Sequence, residues 1–169
     1  MSDETKRLGT LPLAMLLLLR LAIGWHFLYE GVTKLLNPDW TSAGFLAESR
    51  WLLSGVFHWV LESPALIRIV DLLNMWGLTL IGLALILGVF LRPAAISGMA
   101  LLALYYVANP PLIGLDSGMV TEGSYLWVDK NLVELLALGV IAALPTSRLF
   151  GVDRLISSIR KRIPSPEKV

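Results

Sequence analysis

The sequence predicts an all-α integral membrane protein built as a four-helix bundle. Of its 169 residues, 56% are hydrophobic and only 16% are charged, and the mean hydropathy is +0.70. An ordinary soluble domain is much less apolar than this. The apolar residues also form segments that reach the length of about 20 residues that a helix needs to cross a bilayer. No hydrophilic block is long enough to fold alone, so we expect one membrane domain over residues 1–163 and no separate soluble catalytic domain.

Proline and polar residues divide the apolar sequence into four predicted spans, at about residues 11–36, 65–91, 94–114 and 129–145. The first span stops before Pro38, because proline cannot continue a helix. Pro64 is typical of a helix start and opens the second span. Arg92-Pro93 predicts a short turn between spans two and three, which makes them antiparallel neighbours. In span two, Gly82 and Gly88 would allow another helix to approach closely.

The segments that flank the spans are predicted to lie on the membrane surface. Residues 41–62 are too polar to span the bilayer and too apolar for a free loop, so we expect an outer amphipathic helix, interfacial or re-entrant. Its tryptophans favour an anchor at headgroup depth over the alternative, a lid over the bundle. Residues 146–163 combine apolar side chains with five bases and predict a cytoplasmic amphipathic helix on anionic lipid. Residues 164–169 are predicted to be a disordered tail.

The basic residues predict the orientation in the membrane. Lys6 and Arg7 precede the first span, Arg92 lies between spans two and three, and six further bases follow the fourth span. Cytoplasmic loops are enriched in lysine and arginine, so both the N- and the C-terminus are expected in the cytoplasm. We therefore expect a multi-pass protein of a prokaryotic-type cytoplasmic (inner) membrane, with spans one and three running outward.

One face of the first span carries four ionisable residues: Arg20, His26, Glu30 and Lys34. At about 100° per residue, these four fall within about one third of the helix circumference. Charged side chains are costly in lipid, so this face is expected to contact protein, water or a ligand.

The other spans carry polar residues at the same predicted depth, the outer half of the membrane: Asp71, Asn74, Tyr105, Asn109, Lys130, Asn131 and Glu134. We predict that they form a polar pocket with the first span and that Arg20, which lies deeper, is its floor. The alternative is that acidic and basic members of this set form salt bridges that only hold the helices together. Those pairs would join Glu30, Asp71 and Glu134 to Arg20, Lys34 and Lys130.

A quinone suits such a pocket, since it needs an apolar slot, donors for its carbonyl groups and a titratable group that supplies protons. As catalytic, proton-handling residues we predict His26, Glu30 and Asp71. The predicted quinone or substrate ligands are the other polar residues of the set: Arg20, Lys34, Asn74, Tyr105, Asn109, Lys130, Asn131 and Glu134. A small anion held by the basic residues is the other ligand that fits.

The chain offers few groups for a resident redox centre. It has no cysteine and only two histidines, which excludes iron–sulfur clusters and thiolate metal sites. We therefore expect no haem, no iron–sulfur cluster and no metal, and a diffusible quinone as the one cofactor. The sequence contains no phosphate-binding loop or dinucleotide fingerprint, and no nucleic-acid partner is expected.

Several short motifs are spread over about residues 17–156 of the chain. They are Arg20 with Gly24, Glu30-Gly31-Val32-Thr33-Lys34, the run from Asp71 to Gly88, Leu91-Arg92-Pro93-Ala94, Val128-Asp129-Lys130-Asn131-Leu132-Val133-Glu134 and Pro145-Thr146-Ser147-Arg148. In these motifs the chain resembles the DoxX family of four-helix membrane proteins, and the last two are similar to the DoxD subunit of thiosulfate:quinone oxidoreductases. The family usually has a glutamate early in span two, where this chain has the shorter Asp71.

The resemblance implies a membrane subunit that couples oxidation of a small sulfur anion to quinone reduction, with a second subunit on the outer face. The expected function is thus that of a quinone-linked oxidoreductase subunit, and thiosulfate:quinone oxidoreductase if the chain is DoxD-like. The alternative is a non-enzymatic carrier or assembly protein that binds a small solute, a lipid or a partner protein in the same pocket. Expected partners are the lipid bilayer, the second subunit and the quinone or anion, and association of several copies is left open.

Overall fold

The computed structural model describes residues 9–111 and 127–144, and these residues fold as helices and connecting turns. The helices are α1 (Thr10–Leu36), α2 (Ala43–Ala47), α3 (Ser54–Leu61), α4 (Pro64–Leu87), α5 (Leu91–Ala108) and α6 (Lys130–Ala143). Three of them, α1, α4 and α5, are long and apolar enough to cross a membrane. This confirms the all-α class and agrees with three of the four spans predicted from the sequence.

The turn between α4 and α5 lies earlier in the chain than predicted. Helix α4 ends at Leu87 rather than at residue 91, because Gly88 adopts the left-handed conformation (φ 68°) that caps a helix. The Val89 N–H donates to the Ala84 carbonyl at 3.1 Å and closes this cap. Pro93, which we had placed in the turn, lies instead in the first turn of α5, where a missing N–H is harmless.

The third predicted span, 94–114, also differs from the helix that forms. Helix α5 begins at Leu91 and ends at Ala108, just before the Asn109-Pro110-Pro111 sequence that cannot continue it. The last predicted residues of this span, 112–114, lie outside the described residues, as do the C-terminal amphipathic helix 146–163 and the tail 164–169.

Helices α1, α4, α5 and α6, which we call the long helices, pack as two close pairs, α1 with α4 and α5 with α6. Contacts between α4 and α5 join the two pairs. Helices α1 and α4 approach closely at Gly82, where an added Cβ would lie 2.7 Å from Leu28 Cα. Such small residues let two helices associate in lipid, where no hydrophobic effect drives them together. The sequence therefore predicted the role of Gly82 correctly, whereas Gly88 serves as the helix cap.

A single apolar core lies between the four long helices. Its buried members come from α1, α4, α5 and α6: Ile23, Phe27, Leu78, Ile81, Leu85, Leu91, Ala94, Ala95, Leu102, Leu138 and Ile141. Many large apolar side chains on the same helices point outward instead, for example Leu18, Leu73, Leu80 and Leu136, which are more than half exposed. An apolar outer surface of this kind is what a bilayer requires of the helices that cross it.

The predicted outer helix over residues 41–62 is two short helices with different surroundings. Helix α2 is packed against the bundle, since Leu46 and Ser49 beside it are buried. Helix α3 has no buried residue, and its Trp59 is 60% exposed. One half of the segment thus covers the bundle, and the other half presents apolar side chains outward, as residues at a membrane interface do.

Helix α6 corresponds to the fourth predicted span, 129–145, and its described part is short. It has 14 residues and so extends about 21 Å, less than the thickness of a bilayer core. Asp129 caps its first turn by accepting a hydrogen bond from the Leu132 N–H at 2.8 Å. Asn131 Nδ2 donates to the other carboxylate oxygen of Asp129 at 2.9 Å.

Candidate functional site

The predicted site residues of α1, α4, α5 and α6, with the exception of Arg20, lie toward one end of the bundle. The hydrogen bonds between helices show this directly, since late residues of α1 and α5 contact early residues of α6 and α4, respectively. These contacts form three groups rather than one shared pocket. Arg20 lies about 9 Å along α1 from His26, toward the other end, and is 3% exposed.

The first group joins α1 to α6 through His26 and Glu134. His26 Nδ1 donates to Glu134 Oε1 at 2.7 Å, and the side chains are 39% and 13% exposed, respectively. A carboxylate this well covered needs a partner, because an unpaired charge is costly away from water. The pair is therefore a fixed polar point on a side of the bundle that is otherwise apolar.

An open groove runs beside this pair, between α1 and α6. Its volume is ≈ 460 Å³, within the usual range for a small-molecule site. The lining is mostly apolar and is completed by two charged residues next to the pair: Leu19, Ile23, His26, Val128, Asp129, Lys130, Val133, Glu134 and Ala137. The apolar members of this set were not predicted from the sequence, since nothing distinguishes them from lipid-facing residues. The groove combines a polar point with an apolar slot.

The second group lies at the end of α1. Lys34 Nζ is 3.2 Å from Glu30 Oε2, one turn earlier on the same helix, and 5.2 Å from the centroid of the Trp40 ring. Glu30 is thus already paired with a lysine of its own helix.

The third group fastens the segment around α2 to the ends of α4 and α5. Asp71 Oδ1 accepts two hydrogen bonds from Ser42, one from its N–H at 2.8 Å and one from its hydroxyl at 2.5 Å. The Ser49 hydroxyl donates to the Ala108 carbonyl at 2.9 Å, and Asn109 Nδ2 donates to the Phe45 carbonyl at 3.3 Å. Ser42 and Ser49 were not predicted from the sequence, because nothing in their sequence surroundings indicates their partners.

Under α2, Asn74 and Tyr105 link α4 to α5. Asn74 Nδ2 donates to the Tyr105 hydroxyl at 2.5 Å, and the edge of the Phe45 ring meets the Tyr105 ring at a centroid distance of 5.6 Å. Asn74 is only 8% exposed, and its Oδ1 has no partner among the described residues. The amide therefore depends on Tyr105 for the hydrogen bond that it makes.

The predicted site residues are thus divided between different tasks. His26, Lys130 and Glu134 line the groove, whereas Asp71, Asn74, Tyr105 and Asn109 hold helices and the α2 segment together. Asn131 supports the cap of α6, and Glu30 and Lys34 pair with each other. Within residues 9–111 and 127–144, no three His, Cys, Asp or Glu side chains are grouped so that they could hold a metal ion.

Replacing Asp71 with alanine is expected to release α2 from the bundle. The two hydrogen bonds from Ser42 end on a charged acceptor, and such bonds are worth about 1.5–3 kcal/mol each. Amide hydrogen exchange over residues 42–49 should then become at least about tenfold faster. Asp39→Ala is the matched control, since this exposed aspartate lies in the same connection. Equal exchange in the two variants would contradict the role assigned to Asp71.

Tyr105→Phe is expected to lower the thermal stability of the detergent-solubilised protein more than Tyr106→Phe. The first change leaves the buried Asn74 amide without its acceptor, at a cost of about 1–3 kcal/mol. The hydroxyl of the neighbouring Tyr106 donates to the exposed Trp127 carbonyl, which water can satisfy instead. Thermal unfolding of the two variants checks this, and equal losses would contradict the proposed link between α4 and α5.

Taken together, the apolar spanning helices and the polar residues at one end define a multi-pass, all-α membrane protein. The chain belongs to the DoxX family, because the family model DoxX matches residues 15–109, more than half of its length. No curated protein and no solved structure matches the chain. The family match extends from α1 to the end of α5, so α6 and the DoxD-like motif over residues 128–134 lie outside it.

Proposed function

We propose that this protein is the quinone-binding membrane subunit of an oxidoreductase and that the quinone binds in the groove between α1 and α6. The observation that carries the proposal is the hydrogen-bonded pair of His26 and Glu134 beside an apolar slot of ≈ 460 Å³. Such a site suits a ligand with a carbonyl head and an apolar tail, because a few placed polar groups orient a ligand whose remainder is held by apolar surface.

The residues of the groove can serve the chemistry of quinone reduction. A quinone takes up two electrons and two protons to become a quinol. His26 and Glu134 are both able to hold and pass a proton at the carbonyl oxygens, which is the task of a general acid. The ammonium group of Lys130, which also lines the groove, would favour the negative charge that arrives with the electrons.

The electrons must come from a donor outside this chain, and we propose that a partner subunit binds that donor. The DoxD-like motif at the start of α6 supports a small sulfur anion such as thiosulfate as that donor, two of which couple through a new S–S bond and release two electrons. The resemblance to DoxD subunits implies a second subunit on the outer face, and we propose that this second subunit carries the anion site.

The proposed setting is a prokaryotic-type inner membrane with both termini in the cytoplasm. Arg92 lies in the first turn of α5, next to the short connection from α4, and supports this orientation, since arginine favours the cytoplasmic side. With α6 as a fourth span, the helices form a four-helix bundle whose polar end faces outward. His26 and Glu134 are then in the outer half of the membrane.

Binding of quinone to the purified protein in nanodiscs tests the proposal. Menaquinone and ubiquinone analogues should quench the tryptophan fluorescence in a saturable manner, and His26→Gln should weaken this binding. Arg92→Gln is the matched control, since it removes a polar side chain at the opposite end of the bundle. If no quinone binds the unmodified protein, or if His26→Gln and Arg92→Gln weaken binding equally, the proposed site is wrong.

A second candidate function, a non-enzymatic carrier of an amphiphile, also has an observation in its favour. Most of the predicted catalytic and binding residues already have partners within the chain, for example Asp71 with Ser42 and Glu30 with Lys34. A carrier needs the groove but no electron donor. It would exchange quinone or lipid between vesicles without any sulfur-anion-dependent reduction, and that assay separates the two functions.

A further inference from the structure

We infer that the quinone reaches its site sideways from the lipid, between α1 and α6, rather than from the aqueous end of the bundle. We call this boundary between the two helices the α1–α6 seam. The inference rests on the proposed function, and it specifies both the access route and the kind of ligand that can use it, a quinone with a long apolar tail.

Among the described helices, the packing is loosest at the α1–α6 seam. Helix α1 packs along α4, and α5 packs along α6, whereas α1 and α6 contact each other only over a short stretch. Close packing at Gly82 holds the first pair together, and a Cβ added at Gly98 would lie 2.9 Å from Leu138 in the second. The two pairs can therefore move apart at the seam without disturbing either interface.

The neighbouring route, from the end of the bundle between α4 and α5, is covered by α2. Ser42, Leu46 and Ser49 are buried there, and hydrogen bonds from the two serines fix the segment to Asp71 and to the Ala108 carbonyl. A ligand that came in from that end would have to displace α2. A ligand in the lipid already meets the open groove.

The side chains along the seam fit a long-tailed ligand better than a water-soluble one. Leu19 and Ala137 mark the deeper end of the groove, about 10 Å along α1 from His26. Leu19 and Val133 are partly exposed on the apolar outer surface, so the groove is continuous with the lipid-facing side of the bundle. A head held by His26 and Glu134 would leave its tail between Leu19 and Ala137, in contact with lipid.

Cross-linking across the seam tests the route. The chain has no cysteine, so the double variant Leu19→Cys/Ala137→Cys can be joined selectively by a bifunctional maleimide after reconstitution in nanodiscs. Binding of a long-tailed menaquinone is then compared before and after cross-linking of the same protein. We expect the association rate to fall at least about tenfold, because a joined seam cannot admit the ligand.

The matched control is Met99→Cys/Gly139→Cys, which places a cross-link between α5 and α6. A Cβ added at Gly139 lies 3.7 Å from Met99 Cε, so the two positions are neighbours. Cross-linking this pair should change the rate less than about twofold. An unchanged rate in the seam variant, with quinone still bound, would overturn the lateral route alone. Absence of quinone binding in every protein, the unmodified one included, would overturn the proposed function and the route together.

A measurement on the unmodified protein decides the matter if the cysteine variants do not fold. A menaquinone analogue with a diazirine on the first isoprene unit is bound to the protein in nanodiscs, and the sample is irradiated. Mass spectrometry then locates the residues to which the analogue has become attached. We expect labels on residues 19–23 of α1 and 133–137 of α6, where the tail would lie. Labels confined to α4 and α5 would overturn the inference.

Discussion

Replacing Glu134 with alanine is expected to weaken the binding of a long-tailed quinone by about tenfold to a hundredfold. The change removes the acceptor of the 2.7 Å hydrogen bond from His26 and leaves the imidazole free to turn away from the groove. Quinone titration in nanodiscs measures the loss. The effect is large because a charged partner that is only 13% exposed orients the one histidine that the ligand head can reach.

The double variant His26→Ala/Glu134→Ala tests whether the two side chains act together in quinone binding. If the two side chains act as one unit, the double variant should bind quinone no more weakly than either single variant. Glu48→Ala is a control that removes a carboxylate outside the groove. Additive losses in the double variant would show that His26 and Glu134 act separately and would contradict the paired site.

Gly82→Ala is expected to lower the free energy of unfolding by about 1–3 kcal/mol or more, through overpacking of α1 against α4. The new methyl group would lie 2.7 Å from both Leu28 Cα and the Gly24 carbonyl oxygen. These are backbone atoms, so a change of rotamer cannot relieve the contact, and the helices must separate. Thermal unfolding in detergent measures the effect.

The matched control for this prediction lies on the same helix. A Cβ added at Gly77 meets nothing within 4 Å, so Gly77→Ala should be neutral or stabilise α4 by up to about 1 kcal/mol through better helix propensity. Opposite signs for the two variants would support the close α1–α4 interface. Equal destabilisation of the two variants would contradict the assignment of the loss to the close approach at Gly82.

The structure shows three separate groups of contacts between polar residues where the sequence predicted one pocket shared by all four helices. Asp71 and Asn74 share one face of α4, as the sequence indicated, but their partners are Ser42 and Tyr105. Glu134 pairs with His26 and not with a lysine or arginine. The alternative interpretation, that polar residues hold the helices together, therefore applies to part of the set, whereas His26, Lys130 and Glu134 line the groove.

The sequence by itself determined the membrane class, the family and the end of the bundle at which polar residues gather. These follow from segment length, hydropathy and the alternating direction of the helices, which are local properties of the chain. It also marked Gly82 as a packing position, since a small residue in a spanning helix has few other uses.

Only the tertiary structure decided which polar residues meet and where a ligand fits. Helical periodicity places His26 on a face of α1, but the rotation of α6 about its axis decides that Glu134 is its partner. The turn at Gly88 depended on backbone conformation, whereas Arg92-Pro93 had suggested a turn later in the chain. The groove is a gap between α1 and α6, each of which packs closely on another helix. Such a gap depends on how all four helices pack, so no single stretch of sequence encodes it.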